Sequence, residues 1–176
     1  VVGEIWVGGP SVAAGYWGKP DETRETFQAR MASGDGPFLR TGDLGFQHAG
    51  NLYVTGRSKD LIIVRGSNHY PQDIEETVSR SHPNLEPQRC AAFSVESEDG
   101  ESLVVVQEVK RSALRSVDPE DVFRAIRKAV ADQHGLYASA IVLLRPLALP
   151  RTTSGKVRRK ACRDAFLNDA LAAVAS

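Results

Sequence analysis

The stretch Gly56-Arg57-Ser58-Lys59-Asp60-Leu61-Ile62-Ile63-Val64 divides the chain into two textures. Before it, short apolar runs alternate with turn residues. After it come a β-branched run, helical periodicities and longer strands. Working backwards, Leu52-Tyr53-Val54 and Phe38-Leu39-Arg40 read as strands flanking a hairpin turn at Ala49-Gly50-Asn51, the second leading into Thr41-Gly42-Asp43. Ser33-Gly34-Asp35-Gly36-Pro37 reads as a turn, and Asp21 as the N-cap of a short helix through Thr26 and Phe27. Glu4-Ile5-Trp6-Val7 is a strand ended by Gly8-Gly9-Pro10. Residues 1–58 are therefore expected to be small, antiparallel and turn-rich.

Working forwards, Leu61-Ile62-Ile63-Val64 is a strand and Gly66-Ser67-Asn68 a turn. Pro71-Gln72-Asp73-Ile74-Glu75-Glu76-Thr77-Val78 opens a helix, with Pro near N1 and acids where the helix dipole favours them. Ala91-Ala92-Phe93-Ser94-Val95 and Leu103-Val104-Val105-Val106-Gln107 read as strands joined through Glu98-Asp99-Gly100. Val122, Phe123, Ile126, Ala129 and Val130 recur at helical spacing, with Asp118 suited to the N-cap and Gly135 to the C′ position. Ile141-Val142-Leu143-Leu144 reads as the last strand, and a final helix from near Arg159 through Phe166, Leu167 and Leu171. The fold class is α+β: a small antiparallel β segment followed, over residues 59–176, by a compact α+β domain.

Bulk composition narrows the function classes. The 176 residues are 41% hydrophobic, enough for a real core, and 22 basic residues balance 22 acidic ones. A neutral chain argues against general polyanion binding, so no nucleic-acid partner is expected. No apolar run approaches a membrane span, and no stable membrane insertion is expected. Two distant cysteines, Cys90 and Cys162, show no CxxC or His partner pattern and read as small buried or half-buried thiols, which fits a cytoplasmic setting. The four histidines lack ligand spacing, so no metal ligand is assigned. Val1-Val2-Gly3-Glu4-Ile5 is unlike a signal peptide and enters directly into a strand, as if cut from a longer chain.

Three places carry chemistry. Asp43 follows a glycine that permits a tight turn, and its carboxylate suits two vicinal hydroxyls such as a ribose offers; equally, Asp caps turns with its own backbone. Arg57 lies about one hairpin later and should meet Asp43 at one edge, where its planar fork suits ribose or phosphate oxygens, or simply an ion pair with Asp43 or Asp60. Lys156 ends Pro150-Arg151-Thr152-Thr153-Ser154-Gly155-Lys156, which no helix or strand pattern claims. Such a loop presents one compact ammonium to a phosphate. The alternative is a solvated lysine beside Arg158, Arg159 and Lys160, in a short basic run suited to solvent or an acidic partner.

Four blocks in order resemble the later motifs of the adenylate-forming superfamily. They are Gly3-Glu4-Ile5-Trp6-Val7-Gly8-Gly9-Pro10 through Gly15-Tyr16-Trp17, then Arg40-Thr41-Gly42-Asp43-Leu44-Gly45, then Gly56-Arg57-Ser58-Lys59-Asp60, and finally residues 150–156. The string Asn68-His69-Tyr70-Pro71-Gln72-Asp73-Ile74-Glu75 is similar to that of fatty acyl-AMP ligases. Ile63 stands where many relatives carry a lysine, and it is given no role.

The resemblance implies the C-terminal part of a ligase that activates a fatty acid with ATP and passes the acyl group to the phosphopantetheine of an acyl carrier protein. Residues 1–58 would close the large adenylation domain and residues 59–176 form a mobile lid. Lys156 would be the adenylation catalyst, Asp43 and Arg57 would contact ATP or AMP, and Lys59 would be the hinge. Mg2+ and most of the ATP site would belong to an upstream portion, so this part is not expected to be active alone. An acyl-CoA synthetase fragment and a non-catalytic docking module remain as alternatives.

Overall fold

Residues 1–97 and 100–176 are described by the structure, a computed structural model. They pack as two units, Val1–Lys59 and Asp60–Ser176.

The first unit holds β1 (Gly3–Val7), α1 (Pro20–Phe27), β2 (Leu39–His48) and β3 (Asn51–Arg57). The strands form an antiparallel sheet in the order β1-β2-β3. The β2–β3 hairpin turns on Ala49 (φ 49°) and Gly50 (φ 79°), while Asn51 already pairs with His48. Two left-handed residues match the twist of the strands they join. Two expectations are corrected. Pro20, not Asp21, opens α1, because its fixed φ and missing N–H suit N1; Asp21 lies in the first turn. And β2 does not stop before Thr41-Gly42-Asp43 but runs through it, since Gly42 takes φ 72° inside the strand and a register shift follows at Leu44/Gly45.

Beyond a 3-10 turn at Ser58–Asp60, the second unit begins with a two-stranded sheet of β4 (Ile62–Val64) and β5 (Ser67–His69). Arg65 (φ 51°) and Gly66 (φ 77°) make its turn. Ser67 and Asn68 are therefore strand residues, not turn residues. Then follow α2 (Pro71–Arg80), β6 (Leu85–Ser97), β7 (Gly100–Val109), α3 (Pro119–His134), β8 (Ala138–Leu144), α4 (Arg159–Leu167) and β9 (Ala173–Ala175). The expected link between β6 and β7 includes Glu98 and Asp99, which lie outside the described residues.

The main sheet runs β6-β7-β8-β9. Its β7–β8 pair is parallel, with α3 as the crossover, and the other pairs are antiparallel. Helices cover both faces. Ile74 and Val78 of α2 and Val122, Ile126 and Val130 of α3 pack with Val105 and Leu143. Cys162 and Phe166 of α4 pack with Val104, Val106 and Leu144 on the other side. That explains the unbroken apolar run of β7: a strand buried on both faces has no polar side to alternate with. Every buried hydrophobic residue described belongs to this second unit.

Ile141-Val142-Leu143-Leu144 is not the last strand, because β9 pairs with β8. Nor does α4 reach Leu171: Asn168 ends it, its side chain bonding the Asp164 carbonyl, and Asp169 turns left-handed at φ 51°. Cys90 and Cys162 are free and buried, one in each cluster, and burial pushes both thiols up, Cys162 to about 12. Among the described residues no helix is long and apolar enough to cross a membrane, and no group of three His, Cys, Asp or Glu gathers for a metal.

Candidate functional site

Lys156 stands at the foot of a stapled loop. Arg151 and Val157 bridge antiparallel, and the Arg158 N–H donates to the Pro150 carbonyl at 3.0 Å. Inside that closure, Thr152 does three jobs. Its N–H donates to the Lys156 carbonyl (2.9 Å), its carbonyl accepts from the Gly155 N–H (2.9 Å), and its hydroxyl accepts from the Lys156 N–H (3.0 Å). Gly155 supplies the φ of 85° that lets the chain come back. The loop is thus a tight turn rather than a slack arm. The Lys156 side chain is exposed, and its ammonium has no hydrogen bond or ion pair among the described residues.

Both ends of the loop are pinned by acids. At the entrance the Leu149 N–H donates to Oε1 of Glu108, a β7 carboxylate only 1% exposed, at 2.8 Å. At the exit Arg159 reaches Glu75 of α2 and Asp60. Arg159 is therefore not a solvated member of a basic run. Glu75 also accepts from the Ala92 N–H at 3.0 Å, which caps a backbone donor on the outer edge of β6.

In the first unit, β-register sets Asp43 opposite Arg57, and Arg57 Nε donates to Asp43 Oδ1 at 2.9 Å. Beside them lies a hollow of about 380 Å3 lined by Glu4, Arg40, Thr41, Gly42, Arg57 and Ser58, among others. Glu4 of β1 organises its floor. It accepts from the Gly42 N–H (3.1 Å), from Trp6 Nε1 (3.0 Å) and from Arg40 Nε (3.0 Å). Burial pushes the Glu4 carboxyl up, but the donors Trp6, Arg40 and Gly42 outweigh it and hold it below its ordinary value. The Thr41 hydroxyl accepts from the Asp43 N–H (3.0 Å) and donates to the Ile5 carbonyl (2.7 Å). Asp43 is thus delivered by a kinked, hydrogen-bonded stretch of β2 that leaves its side chain free to pair with Arg57. Lys59 lies in the 3-10 turn and is the last residue of the first unit.

Glu4, Glu75, Glu108 and Arg159 are the supporting residues that pattern alone does not single out. Each acts on a partner distant in sequence; the block containing Glu4, the string ending at Glu75 and the run containing Arg159 hint at three of them, and nothing local hints at Glu108.

A family model described as Disco-interacting protein 2-like, AMP domain, matches residues 59–176. The chain belongs to that family. Among curated relatives of this AMP-domain chain, JamA of Moorena producens (strain JHB), a medium-chain-fatty-acid–[acyl-carrier-protein] ligase, is 53% identical over 171 residues, 97% of this chain and 29% of JamA. The putative fatty-acid–CoA ligase FadD21 of Mycobacterium tuberculosis (strain ATCC 25618 / H37Rv) is 45% identical over 174 residues, 94% of this chain and 29% of FadD21. The crystal structure of fatty acid AMP ligase from Legionella pneumophila superposes with a TM-score of 0.52 at 47% identity, covering 99% of this chain and 30% of that one. The AMP-domain chain therefore spans 29% of the length of these two curated relatives. Its resemblance to fatty acyl-AMP ligases extends over nearly all of its own length.

Proposed function

We propose that this chain is the C-terminal part of a fatty acyl-AMP ligase and that Lys156 is its adenylation cation. In the first half-reaction a fatty-acid carboxylate attacks the α-phosphate of ATP and pyrophosphate leaves. Negative charge builds on the phosphate oxygens, and a cation fixed in advance stabilises that state at little reorganisation cost. The observation that carries the proposal is the exposed ammonium of Lys156, without a partner among the described residues, on a loop stapled by Thr152 and pinned at both ends. A lysine serving only solubility needs no such scaffold.

Asp43 accepts from the ribose hydroxyls, and Arg57 orients it while offering donors to ribose or phosphate. Residues 1–58 close the large adenylation domain, residues 59–176 form the mobile domain, and Lys59 is the pivot between them. No residue described here is assigned to Mg2+, which is placed with the ATP phosphates and the upstream portion. In the second half-reaction a phosphopantetheine thiol attacks the acyl carbonyl and AMP leaves. The name of JamA, the more identical of the two relatives, favours an acyl carrier protein as the thiol donor. The name of FadD21 supports free CoA as the second reading.

The test uses the protein that carries this chain together with the upstream portion found in its relatives. Given a fatty acid and ATP it forms acyl-adenylate, and holo carrier protein, rather than CoA, then takes the acyl group. Lys156→Ala lowers acyl-adenylate formation on the order of 100- to 1000-fold, the usual loss for one preorganised electrostatic contact. Transfer from preformed acyl-adenylate stays near normal. An unchanged adenylation rate would remove Lys156 from the mechanism, and preferred transfer to CoA would establish the second reading.

A further inference from the structure

Arg159 occupies the first position of α4, where a cation opposes the helix dipole. The helix also lacks a side-chain cap at Arg158. Two carboxylates offset that misplaced charge. Arg159 Nε and a terminal nitrogen donate fork-to-fork to Glu75 at 2.6 and 2.7 Å, and the other terminal nitrogen donates to Asp60 Oδ2 at 3.2 Å. The side chains of Arg159, Glu75 and Asp60 are 19%, 13% and 34% exposed, so water screens this cluster far less than a surface pair.

The cluster joins three places that matter. Asp60 follows Lys59 directly, Glu75 belongs to α2, and Arg159 comes three residues after Lys156. The Arg158 N–H also closes the loop on Pro150. One guanidinium therefore ties the segment after the pivot to the exit of the lysine loop.

We infer that Arg159, held by Glu75 and Asp60, is a positioning residue for Lys156. It makes the ammonium travel with the second unit as one body instead of swinging on its own loop. This deepens the proposal above and rests on Lys156 being the adenylation cation. Lysine in place of Arg159 keeps the charge but loses the fork. A displacement of about 1 Å at the reacting group costs on the order of 100-fold in rate.

The experiment is a double-mutant cycle on acyl-adenylate formation in the full-length protein, with Arg159→Lys, Lys156→Ala and the double variant. Arg159→Lys should lower the rate on the order of 100-fold, with the Michaelis constant for ATP nearly unchanged. In the Lys156→Ala background the same change should cost less than about 3-fold, because the two residues act as one unit. Equal losses in both backgrounds, or no loss in the wild type, would overturn the positioning role and leave Lys156 standing. A Lys156→Ala protein of normal activity would overturn both assignments. Glu75→Gln, carried through the same cycle, gives the same pattern if Arg159→Lys does not fold. Amide exchange supplies a readout apart from activity. Arg159→Lys should speed exchange at Thr152 and Lys156 and spare Val104, Val105 and Val106 in β7. Uniform acceleration across β7 would reduce Arg159 to a general structural residue.

Discussion

Arg57 engages Oδ1 of Asp43, and Oδ2 has no hydrogen bond among the described residues. The pair is open to solvent, Arg57 being 63% exposed, and exposed ion pairs contribute little to stability, about 0–1 kcal/mol. Such a pair suits a ligand site better than a fold. Asp43→Ala should therefore raise the Michaelis constant for ATP roughly 10- to 100-fold, the equivalent of about 1.5–3 kcal/mol for hydrogen bonds to a charged group. The constant for the fatty acid should stay put. An unchanged ATP constant with a lowered thermal midpoint would make Asp43 a turn residue only. The Thr41-Gly42-Asp43 stretch shows how far sequence reaches here. The Gly–Asp pairing signals a special backbone, and the hairpin places Arg57 opposite. The role of Glu4 depends on β1 pairing with β2, which brings its carboxylate to the Gly42 N–H 38 residues away in sequence.

Helix α3 is written almost entirely in local terms. Asp118 accepts from the Glu120 N–H at 3.1 Å, Pro119 fills N1, and Gly135 closes the helix in the left-handed region at φ 65°. Replacing Asp118 by Ala should cost about 1 kcal/mol of stability, the usual loss of an N-cap. Urea unfolding of the full-length protein should show a lowered midpoint with an unchanged slope, and an unmoved midpoint would mean that the cap is redundant with the buried face of the helix. The first turn of α4 is the opposite case. It has no side-chain cap and a cation of the wrong sign, and it is held by acids from elsewhere in the fold. Very short strands escape pattern reading for a related reason. Three residues, as in β5 or β9, are too few to show an alternation, and they form because a partner edge is waiting.

The chain divides between Lys59 and Asp60, inside a single 3-10 turn. On the proposed function, adenylation would need Lys156 at the phosphate, whereas thioester formation would need that face clear for a thiol. The bonds within the loop favour its moving with the second unit, so we propose the motion at Lys59. Hinges are a few element-terminal residues that absorb a change in φ and ψ, and proline holds φ near −65°. Lys59→Pro should impair one half-reaction far more than the other when acyl-adenylate formation and thiol loading are measured separately. Equal losses together with a lower thermal midpoint would move the hinge elsewhere. The sequence determined the α+β class, the change of texture near residue 59, the caps of α3, the facing of Asp43 and Arg57, and the resemblance that singled out Lys156. These rest on local chemistry: turn residues, capping residues and periodicity act within a few positions of themselves. The tertiary structure alone decided that helices cover both faces of the main sheet, that Glu108 and Glu75 bond the ends of the lysine loop, and that Arg159 is paired with Glu75 and Asp60 rather than solvated. Those facts depend on apolar faces and charges brought together across tens of residues, and neither has a partner until the chain has folded.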